Sequence, residues 1–267
     1  SRAAVDCVVD GAAEEEVDDV GRRTVLDQDD ADDVVALDFS PGSDTEGGAE
    51  GTRRKLLEFA RENNLPHIVI PDTHVQPRSA LGFSMLALVE LVGNKAIVKE
   101  LPILADILSP NTLENKGKTI ANQLSGKLPI IYSSNKNSAV AYNWKIKFNE
   151  TSKIPAFYNV FPELNHNEMT GFDLLTTTKE LFGKFHFIFL TDTSDHPQIQ
   201  KRMKVTKKLY EARGLPVTEV ALKGKTVLER IFSSLLIADW TALHLSRLYG
   251  TEAEKVPMVE ELKKLIA

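Results

Sequence analysis

The 267 residues carry a formal net charge of -6 and an isoelectric point near 5.6, which argues against nucleic acid or an anionic membrane as partner, because either selects a concentrated positive face. A single cysteine, Cys7, excludes an internal disulfide and a thiolate-rich metal site and makes the cytoplasm the expected compartment. The opening residues lack a signal-peptide pattern and no apolar run approaches the ~18 residues of a spanning helix, so a soluble chain with room for two domains is expected.

Residues 1–54 contain no lysine, asparagine or isoleucine and are dominated by Ala, Asp, Glu, Gly and Val. They show little helical or strand periodicity, and their acidity predicts a poorly ordered or weakly packed segment. The five dominant amino acids all have codons beginning with G, so a reading from another frame or strand is the competing explanation. From Lys55 the pattern changes. "RKLLEFAREN" has helical spacing, "LPHIVIP" suits a buried strand with His67 and His74 at its ends, and "PRSALGFSMLALVELVG" reads as a mostly buried helix between Pro77 and Gly93. Leu101 to Leu108 continues as helix and stops at Ser109-Pro110.

Residues 55–108 thus form one unit, and 109–267 a second that ends in a short helix. "NTLENKGKTIANQLSGK" reads as a surface helix leading into it. Then come strand "LPIIYS", helix "SAVAYNWKIKFNET", strands "AFYNV" and "FHFIFLTD", helix "PQIQKRMKVTKKLYEARG", strand "PVTEVAL", helix "TVLERIFSSLLIADWTALHLSRLYG" and the closing "VEELKKLIA". Strands alternating with helices predict an α/β fold, a parallel sheet covered on both faces.

Four residues stand out for chemistry. Glu150, with Asn149 and Lys153, lies where a helix should end at a loop-lined edge, where a carboxylate can act as a base; the alternative is a solvated helix-end acid paired with Lys153. His166 falls in the Pro- and Asn-rich loop "PELNHNE", suited to proton exchange or an ordinary turn histidine. Arg78 follows Pro77 at a helix start, where a guanidinium could hold an anionic oxygen or merely pair with an acid. Lys263 is most simply one cation on a solvated amphipathic helix. "HNE" lacks metal-ligand spacing, and no dinucleotide fingerprint, Walker loop or nucleophile elbow is present, so no metal or cofactor is expected.

"QPRSALGF", "WKIKFNETSK", "PELNHNE" and "VPMVEELKK", in this order and spacing, make the chain from about Lys55 to Ala267 resemble the bifunctional phosphoglucose/phosphomannose isomerases, built from two sugar-isomerase (SIS) domains. The resemblance implies three-layer parallel-sheet SIS domains, the N-terminal one incomplete. It also implies interconversion of glucose 6-phosphate or mannose 6-phosphate with fructose 6-phosphate through a cis-enediol, with a phosphorylated hexose as substrate and a homodimer as assembly. By this resemblance Glu150 matches the base acting between C1 and C2, and His166 the ring-opening histidine. Lys263 matches the lysine assisting it, and Arg78 the arginine stabilising the enediolate. The stretch 148–168 then brings base and ring-opening acid into one pocket, and His166 serves the partner's pocket if sites form at a dimer interface. The family's glycine-rich turn and "SYSGNTEET"-like loop, which hold the sugar phosphate, have no match. "FSPGSDTEGG", with Ser40, Ser43 and Thr45, lies too close to "KLLEFA" and lacks a strand–helix context. The alternatives are therefore a non-catalytic phosphosugar-binding SIS protein or an inactive, truncated or frame-damaged isomerase.

Overall fold

The computed structural model describes residues 36–38, 57–70, 75–173 and 175–266. Two compact units divide the chain, Ser1–Ile103 with Pro257–Ala267, and Leu104–Val256. The closing helix, attached to the second domain on sequence grounds, thus groups with the first unit.

In the first unit, β1 (Ala36–Asp38) pairs in parallel with β2 (His67–Val69). Helical turns at 57–62 stand between them, and Asn64 takes a left-handed φ of 53° before the chain enters β2. Parallel neighbours require such a crossover. One expectation needs correcting here. A strand does occur inside the acidic segment, where Val34 to Leu37 is an apolar run too short to show periodicity. Ser40, Ser43, Thr45, Cys7 and His74 lie outside the described residues.

A 3-10 turn at Pro77–Ser79 precedes α1 (Leu81–Leu91), which ends before Gly93 at φ 70°; α2 follows over Lys95–Ile107 with Pro102 inside it. Helix α1 is less buried than its apolar sequence predicts. Ser84, Ala87 and Val89 are covered, whereas Phe83 and Leu86 are exposed. The described sheet of this unit has two strands, too narrow to cover a helix that is apolar on every side.

The second unit holds α3 (Pro110–Leu124), β3 (Leu128–Ser134), α4 (Ser138–Lys147), β4 (Phe157–Phe161), β5 (Phe185–Thr191), α5 (Pro197–Glu211), β6 (Val217–Ala221) and α6 (Val227–Tyr249). Its four strands are all parallel, in the order β4-β3-β5-β6. One sheet face carries an aromatic core: Tyr132 packs on Phe161, Phe187 and Phe189 at ring-centroid separations of 5.4 to 5.9 Å, and Met203 and Tyr210 of α5 close it. The alternating residues Ile131, Ile188 and Leu190, buried on the other face, follow from the two-residue period of a strand.

Helix α3 is the amphipathic surface helix its polar sequence suggests, exposed at Asn115, Lys118, Thr119 and Asn122. Ile120, Ala121 and Leu124 form a buried stripe, and at Gly117 the backbone of α6 comes so near that an added Cβ would lie 2.4 Å from Trp240 Cβ and 2.9 Å from the Thr241 nitrogen. Those atoms belong to or adjoin a helix backbone and cannot swing aside.

An open cleft at the amino edge of β5 and β6 is lined by Gln123, Lys127, His186 and Thr218, among others. His186 is buried on an otherwise apolar strand, its Nε2 2.8 Å from Thr218 Oγ1, and that hydroxyl donates to Gln123 Oε1 at 2.9 Å. Burial, then the nearby Lys127 charge, pulls the imidazole down to about 4.

Gly117→Ala should lower the urea midpoint, because overpacking costs of up to about 3 kcal/mol outweigh the ~1 kcal/mol that alanine gains in a helix; an unchanged midpoint would mean that α3 and α6 separate freely. His186 protonates in the unfolded chain near its ordinary 6.5 but in the folded chain only near 4. Stability should therefore fall by up to about 3 kcal/mol as pH drops through that window and stay flat above it. Urea unfolding of wild type and His186→Gln at pH 4.5 and 7.5 checks this: the wild type's advantage should shrink at the lower pH, and a constant difference would refute it.

Candidate active site

Helix α4 runs into a π-helical turn, Phe148–Ser152, that carries Glu150. Such turns leave the regular i→i−4 ladder and re-aim side chains, so they need support from elsewhere. The support comes from α6. Trp144 Nε1 donates to Ser234 Oγ at 3.0 Å, the buried Lys147 ammonium meets Asp239 Oδ1 at 2.5 Å, and Ser152 Oγ donates to the Ala242 carbonyl at 2.9 Å. Asn149 Nδ2 closes the turn on the Ile154 carbonyl at 3.0 Å.

Lys153 ends the turn in the left-handed region, φ 59°, uncommon for a residue with a side chain. Its ammonium donates to the Glu150 carbonyl and, at 3.3 Å, to the Ala253 carbonyl. Glu150 is half-buried on this braced turn.

Beyond it, β4 leads to a 3-10 turn, Glu163–Asn165, whose C-cap is His166. The imidazole is exposed, and its backbone N–H donates to the Glu163 carbonyl at 2.9 Å.

The topology fixes how Glu150 and His166 relate. Since β3 and β4 are parallel neighbours, α4 must carry the chain back to the amino edge of the sheet, where Glu150 lies. The chain then runs the length of β4, about 16 Å at ~3.3 Å per residue, before reaching His166 at the carboxyl edge. Within a single chain the topology therefore sets Glu150 and His166 at opposite edges of the sheet.

Arg78 and Lys263 lie in the first unit. Arg78, half-buried, sits in the 3-10 turn rather than in α1, with Nη1 donating to Gln76 Oε1 at 3.4 Å. Lys263 is exposed on α7 (Pro257–Ile266), a helix with no buried residue, and pairs with Glu260 Oε1 at 2.8 Å.

Sequence reasoning missed a polar cluster at the carboxyl edge between β3 and β5, where connections diverge to opposite sides of the sheet, a place where open α/β sheets bind ligands. Ser134 Oγ donates to Asp195 Oδ1 at 2.8 Å, Asn137 Nδ2 bridges Ser134, Asp192 and Asp195, and Lys136 donates to Ser194 Oγ at 2.6 Å and to Asp192 Oδ2 at 3.3 Å. Burial pushes Asp192 up, but bonds from Ser194, Asn137 and Lys136 outweigh it and hold the carboxyl at about 2. Burial and the Asp192 charge push Asp195 up despite the Ser134 bond. The signal was the polar "SSNKN" and "TDTSD" immediately after two apolar strands.

Among the described residues no helix is long and apolar enough to cross a membrane, and no group of three or more His, Cys, Asp or Glu could hold a metal ion.

The model of the bacterial phospho-glucose isomerase C-terminal SIS domain matches residues 113–266. A bifunctional phosphoglucose/phosphomannose isomerase from Aquifex aeolicus is 33% identical over 212 residues, 79% of this chain and 64% of the relative. A protein of the same name from Caldicellulosiruptor bescii is 36% identical over 230 residues, 81% of this chain and 67% of the relative. The chain thus spans about two thirds of the length of these relatives. Among solved structures, a glucose-6-phosphate isomerase like protein from Thermus thermophilus superposes with a TM-score of 0.53 at 16% identity, over 71% of this chain and 64% of that one, a likeness of fold.

Proposed function

We infer that this chain, which belongs to the bifunctional phosphoglucose/phosphomannose isomerase family, acts as an aldose-ketose isomerase on glucose 6-phosphate or mannose 6-phosphate, giving fructose 6-phosphate. The observation that carries the reading is the braced π turn. A base that shuttles a proton between two adjacent carbons must keep one position through both transfers, and the turn bearing Glu150 is fastened to α6 by Ser152 and, through α4, by Trp144 and Lys147.

In this reading Glu150 takes the C2 proton of the open-chain aldose and returns it to C1 of the cis-enediol. His166, assisted by Lys263, opens the ring, and Arg78 stabilises the negative charge that develops on the enediolate oxygen. The substrate's own carbonyl accepts the electrons.

The opposite-edge placement of Glu150 and His166 favours a homodimer in which each histidine serves its partner's base. The edge strand β4 supports that assembly, since Phe157 is 54% exposed, Tyr158 40% and Tyr142 of the adjacent α4 44%, all between the two groups in sequence or beside them in the layer. Aromatic residues exposed on a sheet edge are typical of surfaces that bury themselves against a partner.

Glu150→Gln tests the assignment in a coupled assay for fructose 6-phosphate formed from either aldose phosphate. Turnover should fall about 10² to 10⁴-fold, the usual worth of a positioned base, with sugar-phosphate binding kept. Unchanged turnover would refute the base, and a wild type that binds without turnover would make the protein a phosphosugar-binding SIS protein instead.

A further inference from the structure

The loop that carries the exposed His166 is bonded on both flanks to buried partners. On its far side Glu168 opens a one-turn helix, Glu168–Gly171. Its Oε1 accepts the Tyr132 hydroxyl and its Oε2 the Asn159 amide, so both carboxylate oxygens are engaged from the adjacent strands β3 and β4. Tyr132 has no exposed surface and stands at the centre of the aromatic core. Burial first, with the neighbouring Tyr210 and the Glu168 charge, pushes its phenol far above the ordinary range.

On the near side Asn165 Nδ2 donates to Oγ1 of the buried Thr206 at 3.0 Å, and Arg202 Nη1 donates to Asn165 Oδ1 at 3.4 Å. Within the loop, Asn167 Oδ1 caps the Glu168 N–H at 2.5 Å and its amide donates to Glu163 Oε1 at 3.2 Å. A loop that served only to connect β4 to the next element would not need a carboxylate drawn down onto the core. Hydrogen bonds to a charged acceptor are worth roughly twice neutral ones, and of the charge-assisted bonds in this loop the Glu168 pair is the one that reaches strands β3 and β4.

We propose that Glu168 is a positioning residue: gripped by Tyr132 and Asn159, it locks residues 163–168 so that the His166 imidazole projects from the molecule in one pose. This rests on His166 being the ring-opening histidine. Opening breaks the C1–O5 bond and forms the C1–O1 double bond, adding one proton at O5 and releasing one from O1, so it is neutral overall. An imidazole transfers such a proton only within about 3 Å of its target. When target and histidine sit on different chains, local rigidity of the loop is what keeps that distance.

Glu168→Gln and Tyr132→Phe test the proposal with two readouts on the full chain. The first needs no activity: amide hydrogen exchange at residues 163–168 should rise at least about tenfold while β3 and β5 stay protected, the expected mark of local opening. The second separates the chemistry. Enzyme-catalysed exchange between the α and β anomers of glucose 6-phosphate, followed by NMR, reports ring opening, and solvent deuterium incorporation reports the enediol step. Both variants should slow anomer exchange about tenfold or more with KM within about twofold, by analogy with misplaced catalytic groups. Glu150→Gln should abolish deuterium incorporation and keep anomer exchange.

Unchanged amide exchange in both variants would overturn the clamp. A loosened loop with wild-type anomer exchange would overturn its role. A wild type that incorporates deuterium without accelerating anomer exchange would remove ring opening from His166, and a wild type with neither activity would overturn the isomerase reading itself.

Discussion

Parallel pairing of β3 and β4 is the constraint on which the second unit depends. Two parallel neighbours cannot be joined by a turn, so the chain must leave the carboxyl edge of β3, cross as α4 and re-enter at the amino edge. That single requirement puts the end of α4 at one rim of the sheet and the end of β4 at the other. It also makes α6 the abutment for the crossover helix, because α4 buries Val140, Ala141 and Trp144 on its inward side and needs a second layer there. The π turn follows from the same geometry. It is a local departure from helical order that α6 can hold because the Ser234 hydroxyl and the Asp239 carboxylate fasten the end of α4 and the Ala242 backbone carbonyl fastens the turn itself.

The two halves of the stretch 148–168 solve one problem in different ways. Glu150 is held through its backbone, by partners that grip the residues around it. His166 is held through its neighbours' side chains, Asn165 and Glu168, which reach down to a helix and to two strands. The density of asparagine and acid in that stretch is thus an anchoring requirement as much as a chemical one. Its aromatic residues divide likewise: Phe148 and Phe161 are in the core, while Phe157 and Tyr158 face outward on the edge strand.

Much of the second unit was legible in the sequence because apolar runs bounded by Gly, Pro and Ser alternate with helical spacing, and each such run became a strand. The failures have physical causes. The strand at 36–38 is too short for periodicity to register, and the close approach of α3 to α6 is hidden because it occurs at Gly117, which has no side chain to advertise packing. Glu150 and His166 were legible as residue types on loops. Their separation was not, because closeness along the chain says nothing about direction until the parallel register is known. Tyr132 looked like ordinary core, and only its hydroxyl, invisible to pattern, links it to Glu168.

Placing the two proton-handling groups at opposite rims has a genetic corollary. In the proposed dimer each pocket draws its base from one chain and its histidine from the other, so a defect in Glu150 and a defect in His166, carried on different chains, fall together in one pocket and leave the second intact. Of the two pockets in a mixed pair, one collects both lesions and the other neither. Two alleles, each null by itself, would then restore part of the activity when expressed together, and selection would see the pair of chains rather than either one.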